Sequence, residues 1–378
     1  MPNCCGAKTS GGSLKIKLKH PAALFLTVAC SAMLASATGI SYTCDASIST
    51  SVCTTLNTTI SGQYSSLFSD ANASIYITFG NTGLGSSDQY TNFVSYNSYL
   101  TALTANSSGD AVDLGALASL PATEPGIYGG GPVGLTSALE NALGLGLGAG
   151  ITSGGGFCSS PGSSGCYDGV ITLATPAIVA GYGQGYYYGT GLQPINDYNL
   201  YSVVEHETDE ILGTASCIST QGAGLTDYCG DLDPSAVDLF RYQAPGTLVL
   251  ESTTPGAYFS YDGGATNGAD GAIYNTLANG NDYADFTQNC QFVQDADGCL
   301  GSTQYITTDG GAEVNILDAV GYNQNEQPPP TPEPGTMSLF ATGLGGIAVL
   351  LRRRQNWNQR TSKFTRTFTK KTRYPSGA

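Results

Sequence analysis

The residues best suited to chemistry stand together at His206-Glu207-Thr208-Asp209-Glu210. Side chains four apart share a helix face, so His206 and Glu210 can reach one metal ion, and Glu207 can act on water at that ion. The spacing is that of the His-Glu-x-x-His zinc helix with glutamate replacing the second histidine, and carboxylate oxygen is an ordinary zinc ligand. The competing reading is a surface amphipathic helix whose acidic run, Glu205, Glu207, Asp209 and Glu210, is simply solvated.

Positioning this segment requires a helix. Leu200, Val203, Val204, Glu207 and Ile211 fall at helical spacing, Asp197 suits an N-cap, and Gly213 suits a helix end. Upstream, SIYITFG at 74–80 alternates as a strand with Ile75, Ile77 and Phe79 on one face, and GVITLATPA at 169–177 reads as a second strand. Helices are expected over 88–105, 134–147, from Asp233-Pro234 through Arg241, and over 312–323 with Gly321 as its cap. AYFSYDGG at 257–264 reads as a strand running into a turn. GYGQGYYYGTG at 181–191 is too glycine-rich for regular structure and reads as a substrate-facing lid or a plain long loop.

Charge is distributed unevenly. Of 14 Lys and Arg, four precede residue 20 and nine lie at or after Arg352, which leaves Arg241 alone in the middle of the chain. All 29 Asp and Glu fall in residues 38–336, so one basic residue against 29 acidic ones gives that body a formal charge of −28. Such a body does not bind nucleic acid or an anionic membrane surface. It suits acidic surroundings, where self-repulsion is titrated away; calcium is the other way to relieve it, and Asp295-Ala296-Asp297-Gly298 hints at a calcium loop. A lone arginine in a polyanion is expected to be a buried partner for a carboxylate, supporting the site helix or a site residue.

Residues 1–37 read as a signal peptide: a basic region to Lys19, an apolar run from Ala22 to Leu34, then Ala35-Ser36-Ala37. Beyond it remain eight cysteines in close sequential pairs, Cys44 with Cys53, Cys158 with Cys166, Cys217 with Cys229 and Cys290 with Cys299. In an exported chain, that clustering favours four small disulfide loops. Cys217 and Cys229 flank the end of the motif helix, where zinc ligation is the alternative.

The C-terminal stretch has three parts: a proline-rich linker over 326–336 containing Pro332-Glu333-Pro334, an apolar segment at 337–351 read as one transmembrane helix, and a basic cytoplasmic tail over 352–378 opening with Arg352-Arg353-Arg354. In that order they resemble a PEP-CTERM sorting signal of Gram-negative bacteria, which implies recognition by an exosortase-type processing peptidase and export to the cell surface or outer envelope, or secretion, through a transient inner-membrane anchor. The tail to Ala378 is longer than the pattern has after its arginines.

The body also resembles a family of exported zincin-like metalloproteases that often carry this signal. The resemblance rests on LYSVVEHETDEILG at 200–213, DLFRYQAPG at 238–246, AYFSYDGG at 257–264 and VNILDAVGYN at 314–323. It implies an α+β, metzincin-related catalytic domain over 38–325, with a mixed sheet, an active-site helix and long Gly/Tyr-rich loops. His206 and Glu210 would hold zinc and Glu207 would be the general base of a metalloendopeptidase acting on peptide or protein. As in metzincins, Gly213 stands seven residues after His206. Unlike them, Ser216 occupies the third-ligand position, and residues 38–336 contain no methionine for a Met-turn and no histidine but His206. A third protein ligand must therefore be an oxygen or sulfur donor; Asp227, Asp231 and Asp233 are near in sequence. One histidine among carboxylates is a harder site, which also suits calcium or manganese. The rival readings are a catalytically inactive zincin-fold protein binding surface or matrix polysaccharide, and a glycan-active enzyme using paired carboxylates.

Overall fold

A computed structural model of the chain describes residues 39–122, 132–146, 148–189, 192–218, 229, 233–252, 254–265, 272–276, 282–287, 290–325, 351–354 and 357. The chain divides after Ala37, and every described residue belongs to the second part, Thr38–Ala378.

Strand β1 (Ile40–Cys44) leads into helix α1 (Thr50–Thr55), which continues through a π turn (Leu56–Ile60) into α2 (Ser61–Leu67). Then come β2 (Ala73–Gly80), β3 (Gly85–Gln89), β4 (Thr91–Val94), α3 (Tyr96–Asn106) and α4 (Ala111–Ser119). After β5 (Val133–Thr136) and α5 (Ser137–Ala142), the short β6 (Gly150–Ile151) and β7 (Phe157–Cys158) pair with each other. Next are β8 (Gly169–Ala174), α6 (Pro176–Gly181), β9 (Gly185–Tyr187), β10 (Asp197–Asn199) and α7 (Leu200–Asp209). β11 (Arg241–Ala244) forms a small antiparallel sheet with β12 (Thr247–Leu248) and β13 (Tyr258–Phe259), and α8 (Ala312–Val320) closes the body.

The main sheet has the order β1-β2-β8-β3, parallel except for β3, which runs antiparallel to β8 along one edge. In β2 the period-2 pattern is realised: Ile75 and Ile77 are fully buried. The architecture is thus a mixed α+β fold, the class that the family resemblance implied. Helix α7 packs against β3 and β8, so its site-bearing face meets the antiparallel edge strand.

Several element boundaries differ from expectation. Residues 88–89 end β3 on β8 and 91–94 are β4 paired with β5, so Ser95 caps α3 only from that point. The expected helix at 134–147 shrinks to α5 behind the Thr136 cap, since 133–136 are strand. The expected helix into Arg241 is a single 3-10 turn, Val237–Phe240, and Arg241 itself opens β11. Gly185–Tyr187 pairs in parallel with β10, so part of the Gly/Tyr-rich segment is regular structure. Asn199, rather than Asp197, caps α7, accepting from the Tyr201 and Ser202 N–H groups. The final helix ends at Gly321, as its sequence indicated.

The four disulfides pair as the clustering suggested: Cys44–Cys53, Cys158–Cys166, Cys217–Cys229 and Cys290–Cys299. With both sulfurs bonded, Cys217 and Cys229 offer no thiolate to a metal. Among the described residues no helix is long and apolar enough to cross a membrane. Residues 337–350 of the expected span lie outside the described residues, as do residues 1–37 of the expected signal peptide.

Candidate functional site

The acidic run of α7 is not solvated. Glu205 and Asp209 are fully buried, and Glu207 and Glu210 are buried to within a tenth of full exposure. Helical geometry sorts them by face. Glu205 and Asp209 point inward: Glu205 accepts from Gln63 Nε2 (2.8 Å) and the Ile306 N–H (2.9 Å), and Asp209 from the Tyr64 hydroxyl (2.7 Å). His206 and Glu210, one turn apart, face the cleft, and Glu207 lies against β3.

His206 is set by its neighbours. Its Nδ1 lies 2.9 Å from the Val293 carbonyl, which can only accept, so Nδ1 carries a hydrogen and Nε2 is turned toward the cleft. Two carboxylates converge on that nitrogen, Glu210 Oε1 at 3.6 Å and Asp285 Oδ1 at 3.6 Å. Glu210 is aimed by Ser87 on β3, whose hydroxyl donates to Oε2 at 2.5 Å and leaves Oε1 for the site. One ligand atom from each of His206, Glu210 and Asp285 lies within 4.8 Å of the others.

Asp285 comes from a turn between β13 and α8. Asp282 braces that turn by accepting from the N–H groups of Ser216 (3.1 Å) and Ala284 (2.6 Å). The Asn275 N–H donates to the Asp285 carbonyl (2.7 Å). Arg241 holds the same turn: Nη1 donates to the Tyr283 carbonyl (2.8 Å), Nη2 to Ser252 O (3.3 Å), and the guanidinium lies 4.4 Å from the Tyr274 ring centroid. Arg241 is thus buried, yet its close partners are two carbonyls and an aromatic face rather than the carboxylate expected; Asp238 and Asp282 act on it from farther away. Among the described residues, the only ion pairs within 4.0 Å are those of His206.

Gly85 has a steric role here. A Cβ on it would meet the Glu207 carboxylate and come within 2.8 Å of Val203 Cγ1, so only glycine lets β3 lie this close to α7. At the other end, Gly213 adopts φ 123° within a π turn, Glu210–Thr214, and releases the chain from the helix.

The electrostatics report a surplus of acid. Burial opposes a charge on His206, but Asp285, Glu210 and Glu207 outweigh it and push its pKa well above the ordinary imidazole value. Burial, then Glu210, raises Glu207 well above the usual carboxylate range. Burial pushes Asp285 up to about 8 although His206 pulls the other way. Glu210 resists its own burial: His206 and Ser87 hold it below the usual range. The cleft has a volume of about 540 Å³ and is walled by β3, α7 and the 292–304 segment, with Asp88, Asp282 and Asp297 adding further carboxylates.

One end of the chain can be compared with known proteins. The model of the PEP-CTERM protein-sorting motif matches residues 330–354. That signal is recognised by exosortase, and the protein is exported and envelope-associated in a Gram-negative bacterium. No curated protein matches the chain, and no solved structure does.

Sequence reasoning missed Asp285, 75 positions beyond Glu210 and on a turn without periodicity. The pair Asp282 and Asp285 in an otherwise uncharged stretch was its one local trace. Of the donors proposed instead, Asp227 and Asp231 lie outside the described residues, and Asp233 does not line the cleft. At the suggested calcium loop, the Asp295 carboxylate accepts from the Gln291 and Phe292 N–H groups (2.9 and 3.3 Å), so it shapes the Cys290–Cys299 loop.

Proposed function

We propose that this protein is an exported metal-dependent endopeptidase with a zincin-like arrangement, in which His206, Glu210 and Asp285 hold zinc. The observation that carries the reading is the buried Asp285 Oδ1, which has no hydrogen-bond partner and faces the outward nitrogen of His206 beside Glu210. A buried, unpartnered carboxylate oxygen is costly unless a cation completes it. Imidazole and carboxylate are each ordinary zinc ligands, and three protein ligands with an open position is the catalytic pattern, although one imidazole with two carboxylates makes this a harder site than most.

The bound ion would supply Lewis acidity, polarising the scissile carbonyl and acidifying water. Glu207, adjoining Glu210 and held against Gly85, would take the proton of the attacking water and pass it to the leaving amine. β3 is an edge strand beside the cleft and could pair with an extended peptide backbone. The acidic lining favours neutral or cationic peptides over acidic ones.

Elemental analysis of the purified protein together with a casein-cleavage assay tests this. We expect one zinc per chain, lost in His206→Ala and retained in Glu207→Gln, with cleavage in the latter reduced by about 10²–10⁴-fold. A correctly folded, zinc-free protein that does not take up added zinc would refute it.

A further inference from the structure

A second group of carboxylates lies away from the cleft, where α4 packs against α8. Asp110, Asp113 and Asp318 each place a carboxylate oxygen within 4.8 Å of the other two. Asp318 is fully buried; its Oδ2 accepts from Gln324 Nε2 (2.6 Å), while its Oδ1 is shielded from solvent and has no hydrogen-bond partner. We propose that Asp110, Asp113 and Asp318 form a calcium site that fastens α4 to α8, with the unpartnered Asp318 Oδ1 as its innermost ligand.

The placement of the three acids supports this. Asp110 and Asp113 open α4, where negative charge is favoured. Asp110 Oδ1 caps the helix through the Val112 and Asp113 N–H groups (2.9 and 3.0 Å). Asp113 Oδ2 accepts from the N–H groups of Ser108 (2.6 Å) and Gly109 (3.1 Å) and from the Ser108 hydroxyl (2.9 Å), which fixes its orientation. Asp318 is the opposite case. It sits in the last turn of α8, where the helix dipole disfavours an anion and favours a cation. Among the described residues no basic side chain pairs with it: Arg241, the single basic residue of residues 38–336, is committed to the Tyr283 turn. The donors are all oxygen, with neither His nor Cys, which selects a hard ion. Asp110 is only half-buried, which leaves a side open for the water ligands calcium needs to reach six to eight oxygens.

The test uses the full-length protein stripped with EGTA. Calcium is titrated by calorimetry, and melting is followed with and without excess calcium, for wild type, Asp318→Asn and His206→Ala. We expect wild type and His206→Ala to bind calcium and to gain about 5 °C at a hundredfold excess over Kd. Asp318→Asn, which keeps the shape and loses the charge, should bind at least about tenfold more weakly and lose most of the shift. Should that substitution prevent folding, Asp113→Asn serves as the second variant. Absence of calcium binding in wild type, binding unchanged in Asp318→Asn, or a signal lost only in His206→Ala would overturn the proposal. Stabilisation by Asp318→Asn without any calcium response would identify a shared proton instead, and would overturn it too.

Discussion

Asp285→Asn is the most discriminating single change, because it removes one charge and almost no volume. Asp285 Oδ1 stands 3.6 Å from His206 Nε2. A cation ligated by both residues would stand no farther from the carboxylate than Nε2 does, and one pair of unit charges at that distance interacts by about 4–5 kcal/mol at an effective dielectric near 20. Part of this is returned, since the variant no longer desolvates an ionised carboxylate and its amide oxygen remains a weak donor to a metal. A net loss of about 2–4 kcal/mol remains, equivalent to roughly 30- to 700-fold in metal affinity. Competition with a chelating dye gives the affinity directly. A second readout needs no metal. The chain has two histidines, His20 and His206, so the imidazole C2 proton of His206 can be followed by NMR in EDTA. Asp285 is the foremost group raising the pKa of His206 against its burial, so the variant should titrate at markedly lower pH. Unchanged zinc affinity together with an unchanged His206 titration would show that Asp285 does not face the imidazole, and the three-donor site would fall.

Arg241→Ala should destabilise the fold by about 3–5 kcal/mol, because it strands the Tyr283 and Ser252 carbonyls, removes the contact with Tyr274 and leaves a cavity; denaturant melts measure this, and a change below about 1 kcal/mol would contradict it. In the metal-stripped protein, stability should rise as pH falls from about 8 to about 5. Glu140, raised to about 7 by burial, and Glu313, raised well above its ordinary value chiefly by burial, bind protons more tightly folded than unfolded. Their contribution is complete below the unfolded carboxylate value of about 4.3 and is lost as pH rises through the folded one. Calorimetric melts in EDTA across that range check the sign, and a maximum near neutrality would contradict it.

The helix carrying His206, Glu207 and Glu210 was legible because its information is local: a period of apolar residues and an i, i+4 pair of ligand types. The disulfides were legible for the same reason, each bridging a separation of twelve residues or fewer. What was lost was set by tertiary contact. Residues 91–94 have a helix-compatible pattern, yet they pair with β5, and no local signal reports a partner some forty positions away. Reading the acidic run as solvated was reasonable on composition, but Gln63, Tyr64 and the Ile306 N–H reach it from other elements and permit its burial. The role of Arg241 was half legible. Its isolation predicted burial, while its carbonyl and ring partners depend on a turn that only the folded chain creates.

Burying acids in a body almost without bases leaves three ways to satisfy each one: hydrogen-bond donors, a proton, or a metal ion. Donors serve Asp168, which accepts from the Ser74 N–H (2.8 Å) and the Ser137 hydroxyl (2.6 Å). Where an oxygen is left without a donor, the neighbours decide between proton and metal. Glu140 Oε2 and Glu313 Oε2 are unpartnered, and among the described residues neither belongs to a converging group of three donors, so a proton suits each of them better than a metal ion. Asp285 Oδ1 and Asp318 Oδ1 are unpartnered too, but each belongs to a group whose ligand atoms lie within 4.8 Å of one another, which suits an ion that gathers several ligands. Protons and metals then compete in opposite directions with pH: acidification would protonate carboxyls such as Glu140 and Glu313, while it would release ions from the converging groups. On the two proposed sites, a protein built this way would gain intrinsic stability in acid but hold its ions best near neutrality, so the advantage of the metal-loaded over the stripped protein should narrow steadily as the medium is acidified.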